Sequence, residues 1–113
     1  MKRMFVITLE FDNLWSETGN DDEELRHLQN YLLINPKIGN VISGTEGLRK
    51  LRWSIKGKGK RGGIRVLYID IEEYKIIYLI SLLKKNEKDN LTAKDKTLIK
   101  KKISLIKDIL NKK

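Results

Sequence analysis

The 113-residue sequence contains no cysteine and a single histidine, and each scarcity excludes a kind of chemistry. Without cysteine there are no disulfides, no thiolate nucleophile and no cysteine-based metal site. The apolar runs are far shorter than the roughly 18 to 20 residues that cross a bilayer, and acidic residues soon follow the first run. We therefore expect a cytoplasmic protein with no membrane span and no secretory signal, and we expect neither a metal nor a cofactor.

The single histidine, His27, lies among Leu25, Leu28 and Leu32 and far along the sequence from the basic residues described below. A lone histidine without a nearby partner is more often a surface or packing residue than a catalytic group. Tryptophan is also scarce. Trp53 is expected to pack in the protein interior, with stacking on an RNA base as the alternative.

Positive charge is abundant but unevenly distributed. Residues 1–47 contain 4 Lys/Arg against 8 Asp/Glu, whereas residues 48–113 contain 20 against 7. A polyanionic partner explains this asymmetry, because each neutralised phosphate releases condensed counterions and strengthens binding. The alternative is a lysine-rich proteome, but such a bias would not spare the first 47 residues. The charge distribution therefore favours a nucleic acid that binds the C-terminal two thirds.

The hydrophobic pattern of the first third predicts one strand and two helices. Met4 to Leu9 is rich in β-branched and aromatic residues, which is typical of a strand buried on both faces. A short helix is expected around Asp12 to Glu17. A second, amphipathic helix is expected from Asp21 to about Asn35, because acidic residues suit its first turn and Pro36 disfavours helical geometry in the residue before it.

Beyond residue 39 the pattern predicts three strands and a final helix. The three strands are Leu48 to Ile55, Ile64 to Ile71 and Lys75 to Leu83, with a short turn that makes the last two a hairpin. Thr92 begins a sequence like a capping box, which predicts the start of a C-terminal helix. This order predicts a single α+β domain over residues 1–113, with N-terminal helices and a C-terminal helix packed on a mainly antiparallel sheet.

The segment Lys56 to Gly63 alternates cations with glycines, and it is the most unusual part of the sequence. Glycine lets the backbone approach a phosphate closely, while lysine and arginine supply positive charge. The segment lacks the Gly-Lys-Ser/Thr ending of a nucleotide-binding P-loop. We expect a loop, too rich in glycine to be a strand, that either binds a phosphate backbone or is simply a solvated hairpin connection.

Further cations flank this segment, and the predicted sheet gathers them near one of its ends. Arg65 shares a strand face with Leu67 and Ile69 by the two-residue period. A planar, bidentate guanidinium at the start of an apolar face suits a phosphodiester or its charged transition state. The other cations on the three strands are Arg49, Lys50, Arg52, Lys84 and Lys85.

These residues resemble a known family. The segments that carry the resemblance are Gly47 to Arg52, Lys56 to Tyr68, Tyr78 to Ile80 and Lys85 to Glu87, with Asn35 to Ile42 before them and Leu91 after them. Together they resemble the HigB branch of the RelE superfamily, the toxins of bacterial toxin-antitoxin pairs. The resemblance implies a RelE-like fold and an endoribonuclease that cuts translated mRNA on the ribosome. It also implies a helix-turn-helix, HigA-like antitoxin as partner.

The resemblance also implies residue roles. Arg65 is the candidate for stabilising the phosphorane-like charge, and Lys85 corresponds to a basic residue at the end of the last strand. Lys58, Lys60 and Arg61 would orient the backbone, and one lysine would act as a base. The residues expected to bind RNA by charge are Arg49, Lys50, Arg52, Lys56 and Lys84.

One departure and two alternatives accompany this hypothesis. Many relatives have an aromatic residue where this sequence has Leu83, and Tyr68 or Tyr78 would have to replace it, although both suit the core better. A gyrase poison of the ParE type shares the fold, and so would an RNA-binding protein without activity. The dense cationic segment followed by Arg65 favours the ribonuclease.

Overall fold

The computed structural model describes the backbone of residues 2–55, 59–84 and 91–112 and the side chains of residues 2–54, 63–83 and 91–112. In those ranges no helix is both long enough and apolar enough to cross a membrane. The helices are α1 (Leu9–Glu17), α2 (Asp22–Ile34) and α3 (Ala93–Asn111). The strands are β1 (Met4–Ile7), β2 (Asn40–Val41), β3 (Arg49–Ile55), β4 (Gly59–Ile71) and β5 (Ile76–Lys84).

Each helix begins at a side chain that accepts a hydrogen bond from a backbone N–H of the first turn. Thr8 caps α1 and Asp21 caps α2. At α3 the predicted capping box is confirmed, because Thr92 accepts from the Asp95 N–H and the Asp95 carboxylate accepts from the Thr92 N–H. Such caps stabilise a helix by about 0.5 to 2 kcal/mol each. The helix starts are therefore encoded locally.

The five strands form one sheet in the order β1-β5-β4-β3-β2. β1 runs parallel to β5, and the other pairs are antiparallel. The prediction of an α+β fold with a mainly antiparallel sheet is confirmed. The prediction that the first strand is buried on both faces is wrong, because β1 is an edge strand and Met4 is 65% exposed. An edge strand has a neighbour on one side only, and the apolar residues of β1 therefore remain partly accessible.

Two further predictions about the sheet are corrected. β4 begins at Gly59, and residues 59–63 therefore belong to a strand and not to the predicted loop. Gly59 pairs with Ile55 beyond a register irregularity, and such backbone pairing needs no side chain. The prediction also lacked β2, which is only two residues long and carries no two-residue period. Lys56 and Lys58, in the first half of the predicted loop, lie outside the described residues.

The sheet has an apolar core on each face. The face covered by α1 and α2, called the helix-pair face below, carries buried Ile64, Val66, Tyr68, Ile77, Leu79 and Leu82. The opposite face, called the α3 face, carries buried Leu67, Ile69, Ile71 and Ile80 beneath Ile103 and Leu110. A register shift in β5 gives Ile80 no partner of its own on β4. This bulge places both Ile80 and Leu83 on the α3 face.

Candidate nucleic-acid interface

The candidate site is built on two arginines that lie side by side on neighbouring strands. Arg52 of β3 and Arg65 of β4 are directly opposite each other in the antiparallel register. Side chains at such positions point to the same face, with Cβ atoms about 4.5 to 5.5 Å apart. Arg65 alternates with Leu67 and Ile69, which places both guanidinium groups on the α3 face. The predicted shared face of Arg65, Leu67 and Ile69 is therefore confirmed.

Like charges directly opposite each other on a sheet destabilise it. The Arg52 side chain is exposed and the Arg65 side chain is half-buried. Water therefore screens the repulsion between the two guanidinium groups only in part. An anion that contacts both guanidinium groups relieves this repulsion. The register of β3 and β4 therefore creates a position suited to a phosphate.

Arg65 lies at the border of the part of the sheet that α3 covers, with a half-buried side chain whose Nη1 atom is shielded from solvent. The β4 residues buried beneath α3 are Leu67, Ile69 and Ile71, whereas Arg65 precedes them at the end of the face. Beside Arg65, its partner on β5 is Leu83. Leu83 lines a cavity of about 320 Å³ between the sheet and the first turns of α3, together with Leu67, Ser81, Leu91, Leu98 and Ile99. Glu10, Asp95 and Lys102 also line this cavity, so the surface beside Arg65 combines apolar and charged side chains.

The other predicted site residues are placed as follows. Lys50 lies opposite Leu67 and is half-buried on the α3 face. Lys60 and Arg61 lie in β4 and Lys84 ends β5, and their side chains are not among those described. Lys56, Lys58 and Lys85 lie outside the described residues. Their catalytic and RNA-binding roles therefore stay predictions.

Arg49 has a different position from the rest of the predicted set. It is opposite Tyr68, on the helix-pair face of the sheet. Its Nη1 donates hydrogen bonds to the backbone oxygens of Lys37 (3.0 Å) and Gly39 (2.7 Å). The guanidinium thus fastens the segment after α2 to β3, and the fold does not bring it together with Arg52 and Arg65.

Neither tyrosine replaces the aromatic residue that is absent at Leu83. Tyr68 is fully buried, and its hydroxyl donates to the Pro36 carbonyl and accepts from the Gly39 N–H, both at 2.9 Å. Burial raises the pKa of Tyr68, although the hydrogen bond from Gly39 lowers it in part. Tyr78 packs half-buried against the α3 core. The prediction that both suit the core is confirmed.

Some polar contacts on the helix-pair side of the sheet were not predicted from the sequence. Arg3 forms a bidentate ion pair with Asp70, from Nε to Oδ1 at 2.7 Å and from Nη2 to Oδ2 at 3.2 Å, with both side chains at most 3% exposed. The hydrogen bond to Asp70 raises the pKa of Arg3. Lys37 contacts Glu72 at 2.9 Å and lowers the pKa of that carboxyl. A separation of 67 residues hides the Arg3–Asp70 pair from any local pattern.

His27 and Trp53 have no place in the candidate site. The His27 side chain is 57% exposed on α2 and lies 3.2 Å from Glu24, as expected of a surface residue. Trp53 packs against Tyr31, with 5.6 Å between the ring centroids. It lies on the helix-pair face, whereas Arg65 lies on the α3 face. In the part of the chain that the structure describes, no three His, Cys, Asp or Glu side chains are grouped to hold a metal ion.

Comparison with known proteins gives a similarity in fold. No protein-family model matches the sequence. Among solved structures, a doubly substituted variant of the E. coli toxin RelE in its free state is similar, with a TM-score of 0.56 and 20% sequence identity. The similarity covers 76% of this chain and 86% of the RelE chain. The architecture described above, with its five-stranded sheet and its cationic α3 face, is therefore a RelE-like fold.

Proposed function

We propose that this protein is a toxin of the HigB type, a metal-independent endoribonuclease that cleaves mRNA on the ribosome and is silenced by a HigA-like antitoxin. The observation that carries the proposal is the opposed pair Arg52–Arg65 on the α3 face. The fold similarity to RelE and the sequence resemblance both support it. The excess of cations after residue 47 supports a polyanionic substrate.

The proposed reaction is attack of a ribose 2′-hydroxyl on the adjacent phosphate. The new bond from the 2′-oxygen to phosphorus replaces the bond to the 5′-oxygen of the next nucleotide, which leaves as a protonated hydroxyl. The transition state places extra negative charge on the phosphate oxygens. Arg65 would hold that charge with two parallel hydrogen bonds, since guanidinium geometry matches a phosphate. Arg52 would bind the neighbouring backbone. Lys58, Lys60, Arg61 and Lys85 are proposed from the sequence as the further catalytic cations, and one of the lysines would act as the base. A lysine has an ordinary pKa of about 10.4, and neighbouring cations lower it toward the working pH.

No acid/base pair of histidines is available, because the sequence has one histidine and it is remote from Arg65. Acid/base assistance contributes about 10²- to 10⁴-fold to a rate, and positioning of the reactants contributes more. We therefore expect the ribosome to supply the positioning of the mRNA. Naked RNA should be cleaved far more slowly than translated mRNA.

The test compares Arg65→Ala and Arg65→Lys with the unaltered protein in a translation extract, with cleavage mapped by primer extension. Loss of one donor to a transition-state oxyanion lowers turnover by about 10²- to 10³-fold. Arg65→Lys should recover little, because an ammonium group cannot form the two parallel bonds. Ribosome co-sedimentation should change much less than cleavage in both variants.

The matched control is Arg52→Ala, which removes an exposed arginine from the opposite strand. It should weaken binding and leave most of the turnover of bound mRNA intact. Full cleavage by a folded Arg65→Ala variant would remove Arg65 from the reaction. If the unaltered protein does not cleave mRNA but inhibits supercoiling by gyrase, the assignment as a ribonuclease is wrong and the assignment as a gyrase poison takes its place.

A further inference from the structure

The cavity beside Arg65 combines apolar walls with groups that form hydrogen bonds. Its apolar side chains come from β4, β5, α3 and the segment before α3, and they are Leu67, Leu83, Leu91, Leu98 and Ile99. Its polar side chains come from the first turn of α1, from β5 and from α3, and they are Glu10, Ser81, Asp95 and Lys102. A ligand of this cavity therefore needs both apolar surface and a polar edge.

The carboxylate of Glu10 and the ammonium group of Lys102 lie next to each other at this cavity. Lys102 Nζ is 3.8 Å from Glu10 Oε1, which is longer than a hydrogen bond. At that distance the two groups attract each other by charge, and both can form hydrogen bonds to one ligand. Asp95 differs, because its Oδ2 already accepts from the backbone N–H of Thr92. Glu10 and Lys102 are therefore the groups most available to a ligand.

A phosphate does not suit this cavity. Glu10 and Asp95 bring two negative charges to its wall, whereas Lys102 brings one positive charge. The aliphatic side chains would also remove water from a phosphate without replacing its hydrogen bonds, which is unfavourable. A neutral, flat heterocycle with donors and acceptors on one edge meets both conditions. Among the parts of an RNA chain, a base has this chemistry.

The cavity is close to the position proposed for the phosphate, and this step rests on the proposed function. Leu83 lines the cavity and is the cross-strand partner of Arg65. Neighbouring strands lie about 4.8 Å apart. A volume of about 320 Å³ is at the small end of ligand-sized pockets, which suits one base with its ribose outside. An RNA with a phosphate at Arg65 can therefore place a neighbouring base in the cavity.

We propose that the cavity binds one unpaired guanine of the RNA substrate, and that Glu10 and Lys102 select this base. The Watson–Crick edge of guanine carries the N1–H and N2–H donors side by side, with the O6 acceptor next to them. The Glu10 carboxylate would accept from both donors in two parallel hydrogen bonds, and Lys102 would donate to O6. The faces of the base would lie against the aliphatic walls.

The other bases match these two residues less well. Adenine and cytosine each present one amino group beside a ring nitrogen that accepts, and uracil presents one N–H between two carbonyl oxygens. Each therefore offers one hydrogen bond to the carboxylate where guanine offers two. A bidentate pair discriminates against a wrong base by about 5- to 140-fold. Because the side chains of Glu10 and Lys102 are 51% and 61% exposed, we expect the lower end, about 5- to 10-fold.

The test measures binding of short, labelled uridine oligonucleotides to the full chain by fluorescence anisotropy. The central position carries guanine, adenine, cytosine, uracil or hypoxanthine, the base of inosine. Ribose with a 2′-O-methyl group prevents the proposed attack, so binding is measured without cleavage. Guanine should bind about 5- to 10-fold more tightly than adenine. Hypoxanthine lacks only the N2 amino group of guanine, and its affinity should fall between the two.

Two substitutions test the selecting residues. Glu10→Gln keeps the length of the side chain but leaves one acceptor, and it should reduce the preference for guanine to less than about twofold. Guanine and hypoxanthine should then bind equally. Lys102→Met removes the donor to O6 and should reduce the preference in part. Loss of one charge also changes the affinity for every oligonucleotide, and the ratio between oligonucleotides is therefore the readout.

The matched control is Glu17→Gln, which makes the same change at an exposed residue of α1. Glu17 lies on the same side of the helix as Glu10, about 10 Å further along its axis. This variant should keep the preference for guanine. Circular dichroism and thermal unfolding check that all three variants fold, which is the expected result for exposed positions. A purely structural role of Glu10 would leave the ratio of guanine to hypoxanthine unchanged.

Four outcomes would overturn the proposal. They are equal affinity for all bases, preference for a base other than guanine, a guanine preference that persists in Glu10→Gln, and no binding of any of the oligonucleotides. The proposed function is judged separately, by cleavage of translated mRNA. Cleavage without a guanine preference leaves the ribonuclease and removes the guanine site. Guanine-selective binding without any cleavage does the reverse.

The cleavage sites give a second readout if the protein is active. Sites mapped by primer extension on translated mRNA should carry guanine at one fixed position relative to the cut. Glu10→Gln should cleave with this bias lost, whereas Glu17→Gln should keep it. A bias that is the same in both variants would overturn the role of Glu10.

Discussion

The two faces of the sheet use arginine in opposite ways. On the helix-pair face, Arg3 is held by the carboxylate of Asp70, and Arg49 donates to two backbone oxygens. On the α3 face, Arg52 and Arg65 lie opposite each other, and their positive charges repel. Arg3 and Arg49 thus contact protein oxygens on the helix-pair face, whereas the register brings two like charges, Arg52 and Arg65, to neighbouring positions on the α3 face.

This difference shows that the excess of cations does not by itself define the site. Arg49 and Arg52 are three residues apart on one strand and fall on opposite faces, because side chains alternate along a strand. A functional assignment therefore depends on the register, which decides the face of the sheet on which each cation lies. The predictions below test the contrast between the two faces, in order of decreasing effect.

The largest effect is expected on the helix-pair face, at the ion pair of Arg3 with Asp70. Asp70→Ala leaves the arginine charge buried without its carboxylate, and breaking a buried pair in this way costs about 3 to 5 kcal/mol. Urea unfolding should report that loss. Replacing both residues by apolar ones, Arg3→Met with Asp70→Leu, should recover most of the stability. A loss below about 1 kcal/mol in Asp70→Ala would show that the pair contributes little.

The comparison of Arg49 with Arg52 is expected to give the next largest effect. Arg49→Ala removes two hydrogen bonds from a charged donor, of which the bond to Lys37 is exposed and the bond to Gly39 is part-buried. It should lower the free energy of unfolding by about 1.5 to 3 kcal/mol, the contribution of one such bond. Arg52→Ala removes an exposed side chain and should change it by less than about 0.5 kcal/mol.

For the affinity for a single-stranded RNA, we expect the reverse order, with a larger loss in Arg52→Ala than in Arg49→Ala. Arg52→Ala should weaken binding and reduce the slope of log affinity against log salt by about 0.7, as loss of one phosphate contact does. Arg49→Ala, measured under conditions where it is folded, should keep the slope of the unaltered protein. Equal slopes in both variants would contradict the separation of the two faces. Fluorescence anisotropy gives both values.

The smallest effect concerns pH and the buried Tyr68. Burial raises its pKa above the value of about 10 that the unfolded chain has, so its contribution to stability is complete below pH about 10 and is lost as the pH rises through the folded value. Tyr68→Phe removes two hydrogen bonds and should cost about 1 to 3 kcal/mol at neutral pH. The difference in stability between the two proteins should therefore narrow above pH 10. A constant difference up to pH 11 would contradict the shift.

Gly39 explains why this hydroxyl is held so closely. A Cβ at that position would lie 2.9 Å from Cε1 of Tyr68 and 3.1 Å from the backbone oxygen of Lys50. Gly39→Ala should thus displace the Tyr68 ring and cost about 1 to 3 kcal/mol, as overpacking does. Gly39→Ala complements Tyr68→Phe, because it disturbs the contact between Gly39 and Tyr68 by steric crowding while the hydroxyl group stays in place.

The sequence predicts most of the fold because its signals are local. Asp21 and Thr92 cap their helices where the pattern indicated, and the alternation in β4 placed Arg65 correctly relative to Leu67. The two-residue β2 and the extension of β4 to Gly59 were not predictable in this way, since both depend on backbone pairing with β3.

The candidate site was predictable in part. Alternation along β4 defines the face of Arg65, but the opposition of Arg52 depends on the register between strands, and a one-residue shift would move every side chain of β3 to the other face. The cavity depends on packing between β5 and α3, which the sequence does not specify locally. The sequence groups Arg49 with the RNA-binding residues, since its hydrogen bonds to the backbone oxygens of Lys37 and Gly39 are visible only in the fold.

The parallel pairing of β1 with β5 has a consequence for the synthesis of the chain. Thr8 at the end of β1 donates its hydroxyl hydrogen bond to Ile80, 72 residues later. At a translation rate of about 5 to 20 residues per second, the first strand waits about 4 to 14 s for its neighbour. During that interval an apolar segment that begins with exposed Met4 has no strand to pair with. The sheet, and with it the Arg3–Asp70 pair, is completed only when most of the chain has left the ribosome.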